Sequence, residues 1–280
     1  MAAVRVVCDS SCDLPASTLA EWRIEIVPLT IRFGDEEFVD RKDLTPQEFW
    51  ARCKTSPVLP ETSAPSPGAF EKTFRDLKAD GADGVVVVTL SSKLSATEQA
   101  ARLGAKALEG ELPVNVVDSL SATLGQGMIG LAAARAGAEG KSLDEVTRIA
   151  EELVPRTRLF GALDTLENLK KGGRIGNAQA LLGSMLSLKP IVELQDGTVE
   201  AGAKVRTRTR ALRYLVDQVR NNPGLENLAV LHGDAPDLDE FLAMLDPLYP
   251  RDQIVIGDLG AVIGAHAGPR TIGVVFQVPA

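Results

Sequence analysis

With only two histidines and three cysteines in 280 residues, the chain has little material for metal or redox chemistry. A structural zinc site needs four ligands. Cys8 and Cys12 of "CDSSCDLP" would need two more from Cys53, His232 and His266, all distant in sequence, so no metal is expected. An odd number of cysteines fits a reducing compartment better than a disulfide framework. No apolar run approaches the ~18 residues of a membrane span, so no membrane crossing is expected. The opening "MAAVRVVC" lacks a charged leader followed by an apolar stretch and a cleavage site, which leads to the expectation of a cytoplasmic protein. Neither a Gly-x-Ser-x-Gly elbow nor a His-Glu-x-x-His helix occurs, and the hydrolase and metalloprotease signatures they carry are absent. The net charge of −8 repels phosphate backbones and argues against nucleic-acid binding.

What is present is an ordinary globular pattern of alternating β and α segments. "VRVVC" is a β-branched run closed by the polar turn "DSSCDLP". "IEIVPLTIRFG" and "EEFVD" read as strands separated by a turn at Gly34 and Asp35. In "LTPQEFWARCKT", Thr45 is placed to cap a helix with Pro46 at its first position. "SPVLPETSAPSPG" reads as a Pro/Ser/Thr loop, and after it Phe70, Phe74 and Leu77 recur on one helical face. "DGVVVVTL" is continuously apolar, as in the middle of a parallel sheet. From about Arg156 the order changes, with a hairpin expected to turn at Asp196-Gly197. The fold class expected is α/β: a mostly parallel α/β domain over residues 1–155 and an α+β domain over 156–280.

Two nucleotide-like motifs fail their tests. "GQGMIG" (Gly125, Gly127, Gly130) should close a strand directly and open a helix, but six residues separate it from Asp118, and helix packing is the better reading. "GKS" at Gly140–Ser142 has Arg135 where the first glycine of a phosphate loop belongs. No cofactor is expected.

Polar density gathers instead in "DSSCD", "SSKLSAT" and "DSLSAT", at the carboxyl ends of strands, where open α/β sheets bind ligands. Ser95 and Glu98 form a Ser-x-x-Glu capping box. The same helix start offers unpaired N–H groups suited to a carboxylate or phosphate. On the residues alone, Thr62 is a loop hydroxyl and His266 a loop side chain bonded to the backbone. Arg174 in "KKGGRIG" then reads as a solvated charge after a helix end.

Taken in order, "CDSSCDLP", "ETSAPSPGAF", "TLSSKLSATEQAA", "VVDSLSATLGQGMIGLAA", "LKKGGRIG", "KVRTRTRAL" and "GAHAGPRTIGVVF" resemble the DegV family of fatty-acid-binding proteins over nearly the whole chain. The resemblance implies two domains enclosing one long-chain fatty acid of about 16 to 18 carbons (palmitate or its near relatives) in an apolar tunnel between or within them. It implies a non-catalytic, lipid-binding subunit of a bacterial fatty acid kinase. Such a subunit presents the carboxylate to a separate ATP-dependent kinase, which makes an acyl phosphate for phospholipid synthesis. By the same resemblance Thr62 and Ser95 hold the carboxylate, with Arg174, His266, Ser63, Asp9 and Ser10 around the head group. Asp9 and Ser10 are expected near the pocket mouth, bracing the neighbouring loops.

Two positions depart from the family pattern. Ala64 stands where Gln is common. Ala96 stands where Gly is usual, which restricts the backbone if that glycine supplies a positive φ. The small residues of "GQGMIGLAAARAGA" are expected to leave room for an acyl chain. In "KVRTRTRALR", strand periodicity would put Lys204, Arg206, Arg208 and Arg210 on one face. That face reads as a solvated surface or, with the family, as a kinase-docking surface carried by Lys204, Arg206 and Arg208. Two other readings stand beside the carrier: a hydrolase or transferase using a loop Ser or Asp, and a regulatory protein holding a structural lipid.

Overall fold

The computed structural model describes residues 4–182 and 188–279. Along the first half run β1 (Val4–Asp9), α1 (Ala16–Glu21), β2 (Glu25–Val27), β3 (Thr30–Phe33), β4 (Glu36–Val39), α2 (Pro46–Thr55) and β5 (Glu61–Ser63). Then come α3 (Pro67–Ala79), β6 (Gly84–Thr89), α4 (Thr97–Lys106), β7 (Val114–Asp118), α5 (Leu124–Ala138) and α6 (Leu143–Leu153). The second half holds β8 (Thr157–Ala162), α7 (Glu167–Lys171), β9 (Lys189–Gln195), β10 (Thr198–Val205) and α8 (Arg208–Arg220). It closes with β11 (Glu226–His232), α9 (Leu238–Leu245), β12 (Val255–Asp258), α10 (Ala261–Ala267) and β13 (Ile272–Gln277).

Local rules account for many of these elements. Every residue of β6 is buried, as its unbroken valines require of a strand with neighbours on both sides and helices on both faces. It lies inside a parallel sheet of order β2-β1-β6-β7. Thr45 caps α2 in a full capping box with Glu48, and Pro46 opens the helix. Asp196 and Gly197 take φ of 48° and 83°, the left-handed pair that a two-residue hairpin turn demands. That hairpin, β9 with β10, edges a six-stranded mixed sheet of order β10-β9-β8-β13-β11-β12. The mixed α/β class is therefore as expected.

Three expectations about the elements need correction. "IEIVPLTIRFG" is two strands, because Pro28, which has no N–H for a ladder, separates β2 from β3. β3 joins a separate antiparallel sheet of order β4-β3-β5, and the presumed loop "SPVLPETSAPSPG" contributes β5, with Thr62 paired to Ile31. "KVRTRTRALR" is not one strand either. β10 ends at Val205, and the Thr207 side chain caps α8. Ala211, Leu215 and Val219 then recur at helical spacing on a buried face. Lys204 is thus on a strand, while Arg208 and Arg210 are on a helix.

α5 packs between the parallel and the mixed sheets, against β1 and β6 on one side and β8, β11 and β13 on the other. Its glycines Gly127 and Gly130 serve close approach to β1 and the turn after it. A Cβ on Gly127 would run into the Cys12 carbonyl, and one on Gly130 would lie 2.5 Å from Cys8 Sγ. The space left by these small residues is filled by protein, so α5 does not make room for an acyl chain. That expectation is corrected.

Candidate functional site

Between the mixed sheet, α10 and the loop after β6 lies a cavity of about 250 Å³. Its wall is largely aliphatic. β8 contributes Leu159 and Gly161, Leu163 follows directly after it, and α10 contributes Val262 and Ile263. Polar side chains are few, and among them are Thr62, Ser95, Arg174 and His266.

Thr62 and His266 come from opposite parts of the chain and meet at 2.9 Å, Thr62 Oγ1 to His266 Nε2. His266 occupies the last turn of α10 rather than a loop, and it bonds a side chain rather than the backbone. Burial, reinforced by the charge of Arg174, pushes its pKa down to about 4, so the imidazole is neutral at pH 7. Its Nδ1 is buried without a hydrogen-bond partner among the described residues. An orphan lone pair costs less than an orphan N–H, which assigns the proton to Nε2. Nε2–H then donates to Thr62, leaving the Thr62 hydroxyl proton to point elsewhere. The ring also needs Gly172 beside it, since a Cβ there would strike Nδ1.

Ser95 lies just before α4. Its Oγ is 2.8 Å from Thr97 Oγ1 and accepts from the Thr97 N–H at 3.3 Å. The capping box expected for Ser95 and Glu98 does not form. α4 starts one residue later, with Ala96 at its cap, and Glu98 pairs with Arg102 instead. Ala96 has φ −78°, so the absence of glycine imposes no strain there. Arg174 is exposed at the rim and is tied back by donating to the Leu94 carbonyl at 3.1 Å and the Gly172 carbonyl at 2.7 Å.

The other predicted head-group residues lie elsewhere. Ser63 is exposed, on the alternate side of β5 from Thr62, and does not line the cavity. Asp9 and Ser10 are fully buried behind the wall, not at the mouth. Asp9 accepts from the N–H groups of Ser11 (3.0 Å) and Leu90 (2.9 Å) and from Gln126 Nε2 (2.8 Å). Ser10 Oγ accepts from the Leu29 N–H at 3.0 Å. Leu90 and Leu29 both line the cavity, so the two polar residues fix its wall from behind. Burial raises the Asp9 pKa, and the Ser11 hydroxyl works against it.

Sequence reading passed over Asp13, Asp40 and Arg41. Asp13 Oδ1 accepts from the Gly260 N–H, which caps α10, at 3.0 Å, and lies 3.6 Å from Arg41 Nη2. Burial pushes Asp13 up to about 7 against the pull of Arg41, and Asp40 up to about 6 against the Ser10 hydroxyl and then Arg41. The available signal was "GDLG": a Cβ on Gly257 or Gly260 would come 2.6 Å from Asp13 oxygen atoms. Asp13 thus helps hold the start of the helix whose end carries His266.

Cys8 and Cys12 are fully buried. The Cys12 thiol and burial raise the Cys8 pKa well above the ordinary value, which is unfavourable for a reactive thiolate. Among the described residues no group of three or more His, Cys, Asp or Glu could hold a metal ion. No described helix is long and apolar enough to cross a membrane. At the basic segment, Arg208 is bound at both ends of its guanidinium by Asp237, Nε–Oδ2 at 2.7 Å and Nη2–Oδ1 at 3.0 Å. It is therefore already engaged within the fold, unlike the free docking residue expected.

A profile described as the DegV family of uncharacterised proteins matches residues 3–278. A DegV domain-containing protein of Streptomyces coelicolor is 38% identical over 279 residues, covering 98% of each chain. A Thermus thermophilus structure described as fatty acid binding of a DegV family protein superposes with a TM-score of 0.89 at 33% identity, covering 99% of both chains. A stearic acid-binding protein from Eubacterium ventriosum superposes at 0.86 with 26% identity, covering 99% of this chain and 98% of the other.

Proposed function

The chain belongs to the DegV family, and on that premise we propose that it encloses one long-chain fatty acid and presents its carboxylate to a separate ATP-dependent kinase. The observation that carries the reading is the aliphatic cavity whose few polar residues include Thr62, Ser95, Arg174 and His266. Burying about 14 methylenes at ~0.8 kcal/mol each supplies roughly 11 kcal/mol of gross driving force, before association and ordering costs. A carboxylate left bare on burial would cost several kcal/mol. In this proposal the hydroxyls of Thr62 and Ser95 donate to it, and Arg174 balances its charge from the rim.

His266 acts by orientation. Its Nε2–H holds the Thr62 oxygen, so that the Thr62 proton turns toward the ligand. The carrier reading is favoured over a hydrolase or transferase because His266, the one histidine among the cavity-lining residues, bonds Thr62 and not Ser95. Ser95 has a threonine hydroxyl as its partner, which is no general base. Residues 1–155 and 156–280 are proposed as the two domains, in a cytoplasmic protein. The kinase would dock on Lys204 and Arg206, with Arg208 shaping that surface through Asp237.

Native mass spectrometry with organic extraction tests the binding. One co-purifying acid of about 16 to 18 carbons per chain supports it, with that length consistent with the methylene burial above. Recovery of an empty protein that also refuses added acid overturns it. For the partner, Arg206→Glu is expected to slow acyl-phosphate formation with a purified fatty acid kinase while leaving acid binding intact. If both persist unchanged, the docking assignment fails.

A further inference from the structure

β8 and β9 pair so that Leu159 stands opposite Leu194 and Gly161 opposite Val192. Alternate residues of a strand share a face, and Leu159, Gly161, Leu163, Val192 and Leu194 line the cavity. Leu163 belongs to the apolar cluster that includes Leu94, the residue whose carbonyl anchors Arg174. From Leu163 to Leu159 the strand runs about 13 Å away from that end.

Beyond Leu159 and Leu194 the space does not end. A second cleft follows, walled by Val117, Leu120, Val154, Pro155 and the hairpin residues Gln195 and Asp196. Leu159 and Leu194 line both spaces. Glu193 borders both as well, but in register it stands opposite Phe160, on the alternate face of β9. The two leucine side chains therefore form the partition. Leu159 is seated over α5, its Cδ1 3.3 Å from where a Cβ on Gly125 would be.

We propose that the Leu159–Leu194 pair sets the upper limit of acyl chain length, by closing the cavity against the adjoining cleft. The proposal rests on the fatty-acid reading above and names the residues that select within that ligand class. An acid that fits gains affinity with each methylene, because each adds buried apolar surface. One that is too long must push the pair apart or leave its end folded back. With both side chains cut to alanine, the chain end can pass into the cleft, whose Val117, Val154 and Pro155 offer apolar contact.

The test is titration of lipid-stripped protein with saturated acids of about 14 to 22 carbons, where each added buried methylene is worth roughly fourfold in affinity. For the Leu159→Ala/Leu194→Ala variant, affinity for the longest acids relative to the shortest is expected to rise by on the order of tenfold over wild type. Leu159→Phe, which enlarges the partition, should shift the preference toward shorter acids, and it decides the matter if the double variant does not fold. Length profiles unchanged from wild type in the folded variants overturn the partition alone. A wild-type protein that takes up no acid of any length overturns the underlying fatty-acid reading instead.

Discussion

Two polar regions of this molecule use the same residue types to opposite ends. Behind the cavity wall, Asp9, Ser10, Ser11 and Gln126 are fully buried and bond largely to one another and to nearby backbone. At the cavity, Thr62, Ser95 and His266 are only half-buried, and they make few bonds. The first region spends its hydrogen-bonding capacity on holding two loops together. The second keeps capacity in reserve, which is what a carboxylate needs. Polar density along a sequence therefore marks structural bracing as readily as binding, and incomplete bonding beside an apolar cavity discriminates between them.

Breaking the first region should give the largest effect. Asp9→Ala strips acceptors from the Leu90 and Ser11 N–H groups and from Gln126. A loss of about 3–5 kcal/mol in unfolding free energy is expected by denaturant titration, as for other broken buried networks. A loss below about 1 kcal/mol would erase the distinction between the two regions.

The same measurement on Thr62→Ala and Ser95→Ala should give the converse. Stability of the lipid-free protein should change little, while affinity for a long-chain acid falls by about 1.5–3 kcal/mol per lost charge-assisted bond. Unaltered affinity in the double variant would remove both residues from the carboxylate site.

Acidity adds a second contrast, because burial acts with opposite sign on His266 at the cavity and on Asp13 in the turn after β1. The pKa of His266 is lowered to about 4, so its contribution to stability is present above pH ~6.5 and is lost as pH falls toward 4. Asp13 is raised to about 7, so its contribution is present below pH ~4 and is lost as pH rises toward 7. Each is worth at most roughly 3–4 kcal/mol over its window. Denaturation measured across this range should show His266→Gln flattening the acid side. Asp13→Asn should gain on wild type from pH ~5 to ~8. Parallel curves for all three proteins would contradict the assignment.

The smallest effect concerns the thiols. Cys8 should resist alkylation at neutral pH in the folded protein, because the neighbouring Cys12 thiol and burial raise its pKa. Mass spectrometry after iodoacetamide treatment checks this, and rapid modification of native protein would reopen a redox role for the first turn.

Much of this was legible in residues read in order. The valines of β6, the cap at Thr45 with Pro46 behind it, the turn at Asp196 and Gly197, and the polar loops after β1 and β6 all follow from rules spanning a few positions. The motif series that identified the family is also written along the chain. Where local rules competed, reading failed: Thr207 took "KVRTRTRALR" into a helix, and at α4 Ser95 bonds Thr97 while Glu98 pairs with Arg102 instead of closing a capping box. Packing accounts for the glycines of α5, but the surface that Gly127 and Gly130 approach belongs to β1 and the turn after it, more than a hundred residues earlier.

By itself, the sequence determined most of the element types, the mixed α/β class and the family, because backbone propensity, periodicity and capping are short-range. Only the tertiary structure decided which side chains meet. Thr62 and His266 are 204 residues apart and join because the β3–β5 sheet edge packs beside α10. Asp13 and Gly260 are 247 apart and join because α10 begins over the first turn. The same packing leaves the cavity its aliphatic wall and turns the "DSS" after β1 away from it. No local rule carries that information, since burial and pairing depend on sheet order and helix placement rather than on neighbours in the chain.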